Sequence, residues 1–204
     1  MVLSSKRVFF SRYVFDVVEN VYEPAEDSFL FAENLVIGES DVVLDMGTGC
    51  GILGVVAAER AGIVVAVDVN PYAVCCAREN AMLNGVFDKF LFMQSDLFSA
   101  FRVGERFDVI LFNAPYLPSN GDEGCSWLGR AWWGGIGGRQ VIDRFIDDAP
   151  KYLRRDGFIF LMQSSLCGLD ETVRRFVENG LEASVVARCD LPFFETIVLF
   201  RAKR

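Results

Sequence analysis

The chain has 204 residues with 52% apolar content, enough to bury one sizeable core and too few for two full domains, so a single domain is expected. Its 20 lysines and arginines against 28 acidic residues give a formal net charge of -8, which excludes a surface that attracts phosphate backbones as a whole and leaves only a local basic patch open. Six cysteines without a C-x-x-C pair, and no histidine at all, rule out the usual zinc patterns and predict reduced thiols in a cytoplasmic or nuclear protein with no metal site.

The opening "MVLSSKRVFFSRY" has neither a long apolar core nor a small-residue cleavage site. No later run approaches the roughly 18 apolar residues that span a bilayer. The chain therefore reads as soluble and untargeted. "DVVLDM" (41–46), "IVVAVDV" (63–69), "KFLFMQ" (89–94), "FDVILFN" (107–113) and "GFIFLMQ" (157–163) are apolar runs of strand length, as expected for strands buried on both faces. Between them, "GILGVVAAERA" and "PYAVCCARENAMLNG" have helical length, the second with Pro71 in its first turn and Gly85 as its stop. "RQVIDRFIDDAPKYLRRDG" (139–157) and "LDETVRRFVENG" (169–180) read as two further helices, and "ASVVARCDL" and "FFETIVLFRA" as an antiparallel pair at the sheet edge. This alternation predicts an α/β fold with a doubly wound, mostly parallel sheet. The glycine-rich stretch 121–140 has neither period and is expected to be a long loop.

"VLDMGTGCGILG" joins the first core strand to a helix, where glycines let backbone approach a ligand. Gly49-Cys50-Gly51-Ile52-Leu53-Gly54 formally matches the dinucleotide pattern G-x-G-x-x-G, with Asp68 lying 19 residues after Gly49. Asp45, two residues before Gly47, argues otherwise. A carboxylate beside a pyrophosphate is repulsive in a low-dielectric cleft, whereas beside an ammonium or sulfonium it is attractive. The site therefore suits a cationic cofactor better than a nicotinamide or flavin dinucleotide.

D-x-G-x-G-x-G after the first core strand resembles the opening motif of class I methyltransferases, whose cofactor is S-adenosyl-L-methionine. That resemblance implies that Asp45 and the loop of Gly47, Thr48, Gly49 and Gly51 hold the methionine portion. It also implies that Asp68 accepts from the ribose hydroxyls and that Asp96, with Leu97, faces the adenine. Asn113-Ala114-Pro115-Tyr116 at the end of the fourth core strand stands where enzymes methylating planar amino or amide nitrogens carry [DNS]-P-P-[YF]. The residue types suit that chemistry. An amide nitrogen is a poor nucleophile because its lone pair is delocalised, and acceptors aimed at its two N–H bonds orient it and favour a pyramidal transition state. The Asn113 side-chain oxygen and the Ala114 carbonyl are the expected acceptors, Pro115 stiffens the turn and Tyr116 covers one face of the planar group. Ala114 replaces the first proline of the pattern, a position that contributes a carbonyl rather than a side chain. Asn113 as a plain turn former before proline is the competing reading.

"VYEPAEDSFLF" (21–31), "VLDMGTGCGIL" (43–53), "FNAPY" (112–116) and "AWWGGIGGRQVIDRF" (131–145) together resemble the eukaryotic and archaeal relatives of HemK, protein glutamine-N5 methyltransferases. The resemblance implies a seven-stranded sheet with an antiparallel C-terminal strand, in which residues 1–40 form an extension over the site and 41–204 the catalytic core. The implied substrate is the Gly-Gly-Gln loop of a class 1 translation termination factor. Tyr22, Pro24 and Glu26 would close over cofactor and acceptor, although Pro24 with Glu26 and Asp27 is equally an ordinary helix start. The 121–138 loop, with Trp133 and Gly134, would receive the substrate loop, or else form a plain surface segment. The family also implies a small zinc-binding activator, expected as a heterodimer partner at the third core strand through Phe90 and Phe92; those rings read equally well as core. Methylation of an adenine or other nucleic-acid amino group, methylation of lysine, and a cofactor-binding scaffold without turnover are the alternatives.

Overall fold

A computed structural model describes residues 5–104 and 107–204. The first four residues of the opening stretch, which bear on targeting, lie outside the described residues. Nine strands and five α-helices make up the described chain: β1 Ser5–Phe10, β2 Tyr13–Val18, α1 Glu26–Glu33, β3 Val42–Met46, α2 Ile52–Ala57, β4 Ile63–Asp68, α3 Pro71–Leu83, β5 Phe90–Gln94, β6 Phe107–Asn113, α4 Gln140–Asp148, β7 Leu153–Ser164, α5 Leu169–Glu178, β8 Glu182–Leu191 and β9 Glu195–Lys203.

Seven strands form one sheet in the order β5-β4-β3-β6-β7-β9-β8. β5, β4, β3, β6 and β7 are mutually parallel. β9 is antiparallel to both neighbours, so it inserts between β7 and β8 and leaves β8 at the edge. Period-two alternation explains why the central strands read as unbroken apolar runs. Val43, Val109 and Leu111 face one core layer while Leu44, Met46, Ile110 and Phe112 face the other. The chain winds outward from β3 to β4 and β5, then returns to β6 on the other side of β3. Crossovers leaving in opposite directions part the loops at the β3/β6 strand ends, which is where ligands bind in such sheets.

Local chemistry sets the element ends. Pro71 fills the first turn of α3, the Asn70 side chain accepts from the Tyr72 N–H at 2.9 Å, and Gly85 follows with φ +69°. The stretch 139–157, expected to be one helix, is helical only through Asp148. Pro150 has no N–H to continue the ladder, a short 3₁₀ turn follows, and β7 begins at Leu153. The extension holds an antiparallel hairpin, β1–β2, that the apolar runs did not announce. Two asparagines one turn apart, Asn80 on α3 and Asn84 at its C-terminal cap, anchor it. Asn80 accepts from the Asp16 N–H at 2.8 Å and donates to the Asp16 carbonyl at 3.1 Å, and Asn84 does the same for Val14 at 3.0 and 2.7 Å. The open edge of β2 is thus satisfied by side-chain amides rather than by another strand.

Candidate active site

The loop after β3 is shaped from beneath by Asp45. Its carboxylate is fully buried; Oδ2 accepts from the Thr48 hydroxyl at 2.6 Å and the Gly54 N–H at 3.0 Å, while Oδ1 has no protein partner. Burial pushes its pKa up to about 7, although those two hydrogen bonds pull the other way. Gly47, Gly49 and Gly51 all take positive φ, and a Cβ on Gly51 would come within 3.1 Å of Ala77. The result departs from the expectation that Asp45 meets the ligand directly. Gly47, Thr48 and Gly49 line the cleft, whereas Asp45 and Gly51 stand behind them, one bracing the loop and the other packed on α3.

The other two strand-end acids differ from Asp45 and from each other. Asp68, ending β4, lines the cleft and accepts from the Gly49 N–H at 3.0 Å and the Asn70 N–H at 2.9 Å, one per oxygen. Each oxygen keeps a lone pair for a further donor. Burial raises its pKa. Asp96, after β5, is exposed at the mouth and pairs with Arg144 of α4 at 2.9 Å. Beside it Leu97 is buried in the left-handed region at φ +46°, a conformation that costs a branched side chain energy and holds the turn against the cleft.

Asn113, the last residue of β6, is the centre of a polar cluster. Its Nδ2 donates to Asp27 Oδ2 at 3.0 Å and to Ser28 Oγ at 3.3 Å. Turning the amide over would bring its oxygen against the carboxylate, so these acceptors fix the orientation. Oδ1 is left as a buried acceptor without a protein partner, on a residue that lines the cleft. Asp27 also accepts from the Tyr22 hydroxyl at 3.1 Å and the Tyr116 hydroxyl at 3.2 Å, and burial lifts both phenol pKa values well above the ordinary range, keeping them as donors. Ala114, Pro115 and Tyr116 continue the wall. Glu26, the acid expected here, is exposed and does not line the cleft. One residue is about 100° of helix rotation, and that turn puts Asp27 inward and Glu26 outward. Asp27 and Ser28 are therefore the residues that sequence reasoning missed. Their only signal was the adjacent pair of acids, which does not reveal the phase of α1.

The 121–140 loop is organised. Two 3₁₀ turns, Asp122–Cys125 and Gly129–Ala131, precede a bridge to the chain after β6. Leu117 N–H donates to the Trp132 carbonyl at 2.8 Å and Gly134 N–H to the Leu117 carbonyl at 3.0 Å. Trp127, Arg130, Trp132 and Trp133 join the wall. The indole N–H of Trp133 is buried without a protein partner. Gly134 lies outside the cleft lining and serves the turn instead, since a Cβ there would sit 2.5 Å from the Gly138 carbonyl oxygen. The cleft these segments enclose measures about 530 Å³, within the range of small-molecule sites. Among the described residues no group of three or more Cys, Asp or Glu side chains is placed to hold a metal. The arrangement is suited to a ligand with hydroxyl donors at Asp68 and a donor N–H at Asn113.

A family model, described as the methyltransferase small domain, matches residues 23–124. A protein of Methanocaldococcus jannaschii, carrying a provisional name as a protein N5-glutamine methyltransferase, is 45% identical over 181 residues, covering 88% of this chain and 90% of the relative. The human methyltransferase HEMK2 is 30% identical over 176 residues, 81% of each chain. Among solved structures, the E. cuniculi Mtq2–Trm112 complex, responsible for methylation of the eRF1 translation termination factor, matches with a TM-score of 0.70 and 25% identity over 91% of this chain and 99% of that one.

Proposed function

This chain belongs to the HemK-like class I methyltransferases, and on that premise we propose that it methylates the N5 of the glutamine side chain in the Gly-Gly-Gln loop of a class 1 translation termination factor, with S-adenosyl-L-methionine as donor. The observation that carries the reading is Asn113, a residue of the cleft wall whose Nδ2 is engaged by Asp27 and Ser28 and whose Oδ1 is left without a protein partner. The residues present fit the cofactor. Asp68, an acid on the cleft wall whose two oxygens each keep a lone pair for a hydroxyl donor, and a glycine loop open to close approach favour a ligand bearing hydroxyls over a pyrophosphate, which that carboxylate would repel.

S-adenosylmethionine, when bound, supplies a methyl on sulfur that transfers in line to nitrogen, the sulfur keeping the electron pair. The Gly47, Thr48 and Gly49 backbone would hold its methionine portion, with Asp45 and Gly51 fixing the shape of that loop. Asp68 would accept from the ribose, and Asp96 with Leu97 would border the adenine. Asn113 Oδ1 would accept one amide N–H of the glutamine and the Ala114 carbonyl the other. Pro115 would stiffen the turn, with Tyr116, Tyr22 and Trp133 enclosing the planar group. The extension, residues 1–40, would act as a cover, since Tyr22, Pro24, Asp27 and Ser28 all reach the cleft wall. A methylated amide nitrogen is acidic enough to release its proton to water, so no histidine is required.

The edge position of β5 supports a small zinc-binding activator as heterodimer partner. Phe90 itself is core, buried and stacked under Phe92 at 5.2 Å, so the surface open to a partner is formed by the exposed Leu91 and Phe87 with part of Phe92 rather than by Phe90. Work in the cytoplasm is part of this proposal; the six cysteines are free, and no helix among the described residues is long and apolar enough to cross a membrane. The test is incubation with labelled S-adenosylmethionine, with and without activator, on a termination factor or an oligonucleotide. Label is expected in the glutamine of Gly-Gly-Gln and lost in Asn113→Ala; comparable label in DNA would overturn the reading.

A further inference from the structure

The turn between β8 and β9 holds two phenylalanines fully out in solvent, Phe193 at 93% and Phe194 at 102% relative exposure, and both take left-handed backbone conformations with φ +65° and +64°. Neither feature is explained by folding. A bulky residue at positive φ is strained, and exposed rings return nothing to the core. Their position is informative. β8 runs parallel to β7 because both are antiparallel to β9, so its C-terminal end lies on the same face as the ends of β3, β4 and β6 that form the cleft. The residues flanking the pair, Leu191 and Glu195, line the cleft itself. Leu166 is half exposed on the turn after β7, and that turn is tied to the start of β9, because the Ser165 hydroxyl accepts from the Thr196 N–H at 3.0 Å. The knuckle therefore adjoins the mouth of the site.

We propose that the Phe193–Phe194 knuckle, with Leu166, is a docking element for the folded protein that presents the methyl-accepting side chain, seating in an apolar recess beside the acceptor loop. The inference rests on the protein-methylating reading above. Continuity with the cleft identifies this occupant: a chain feeding a side chain past Tyr116 and Trp133 must lie against the adjoining rim, and exposed aromatic pairs at interface centres commonly dominate binding. No basic side chain belongs to the knuckle, so a phosphate backbone gains nothing from it. Phe194 and Phe193 thereby determine which protein is held, while the Asn113 cluster determines which atom is methylated.

The experiment compares the parent with Phe193→Gly/Phe194→Gly in the activator-bound enzyme, on the intact termination factor and on a short Gly-Gly-Gln peptide. Glycine accepts the positive φ, so the unfolding midpoint is expected to hold or rise. KM for the intact factor should rise about 10- to 100-fold with kcat nearly unchanged, and peptide turnover should stay within about twofold. An unchanged KM for the intact factor overturns the docking role. So does an equal loss on factor and peptide, or a change of oligomeric state without a change in KM. If the parent methylates neither factor nor peptide, it is the protein-methylating reading that fails, and the docking role falls with it.

Discussion

Asp27 is the residue whose loss separates orientation from binding most cleanly. In Asp27→Asn the side chain keeps its volume, but one carboxylate oxygen becomes an NH₂ group. Asp27 Oδ2 accepts from Asn113 Nδ2 at 3.0 Å and Tyr116 Oη at 3.2 Å, and Oδ1 accepts from Tyr22 Oη at 3.1 Å and the Ser28 N–H at 2.6 Å. With donors on both faces, an amide at position 27 must meet one of them with its own N–H. Either Asn113 turns over and presents Nδ2 to the cleft, or its hold is lost. A hydrogen bond to a charged group is worth about 1.5–3 kcal/mol net, so losing the orienting bond should lower kcat/KM about 10- to 150-fold. The loss should fall mainly on kcat, because the acceptor contact matters most when the nitrogen pyramidalises. Steady-state methylation of the termination factor measures it, with calorimetry on S-adenosylmethionine showing an affinity within about threefold of the parent and thermal unfolding verifying the fold. Tyr116→Phe, which removes a donor to Asp27 but leaves the Asn113 bond, should cost less. Asp27→Asn turning over within twofold of the parent would refute the reasoning.

Two further outcomes follow from the acids at the strand ends. Asp68→Ala removes the two oxygens proposed to accept from the ribose and should weaken S-adenosylmethionine binding about 10- to 100-fold, read by calorimetry; an unchanged Kd removes its proposed role. Asp45 titrates at about 7 in the folded chain against an ordinary value of 3.8, so the folded state holds its proton through that window and the unfolded state does not. Stability from this group is therefore present below pH 3.8, declines as pH rises to 7 and is flat beyond. At about 1.4 kcal/mol for each pH unit between those two values, the whole effect is on the order of 4 kcal/mol, roughly 3 of it between pH 5 and 7. Urea unfolding at pH 5 and pH 8 should show that decline in the parent and a flatter response in Asp45→Asn, and equal slopes would count against the burial argument.

Much of the architecture was legible because strands buried on both faces announce themselves as apolar runs, as in 107–113 and 41–46, and because Pro71 and Gly85 bracket a helix by local backbone chemistry. What escaped was decided over longer distances. The outer face of the hairpin of residues 5–18 mixes Phe9 and Val14 with Arg7 and Asp16, so no clean alternation marks it, and its edge is satisfied by Asn80 and Asn84 from some seventy residues away, a pairing no local pattern contains. The stretch after Asp148 carries helix-forming residues, yet Pro150 and pairing with β6 turn it into strand. Within the site, the glycines, Asp68, Asp96 and Asn113 follow strand ends and could be placed by counting. The choice between Glu26 and Asp27 depends on the rotational phase of an eight-residue helix whose exposed and buried faces differ little in composition. Asp45 was correctly located on its strand, but its burial beneath the loop reflects packing against Gly54 rather than anything its neighbours in sequence display.

The amide of Asn80 has a wider consequence than anchoring a strand. The same nitrogen that donates to the Asp16 carbonyl also donates to the Cys50 carbonyl at 2.8 Å, in the glycine loop after β3. One side chain thus ties the start of the protein to the loop that shapes the ligand's berth, so neither can come loose without straining the other. Local opening of such joined segments is a single cooperative event. Whatever steadies the loop from the cleft side also steadies the hairpin that shares its Asn80 anchor, so the hairpin of the extension is expected to open together with the loop.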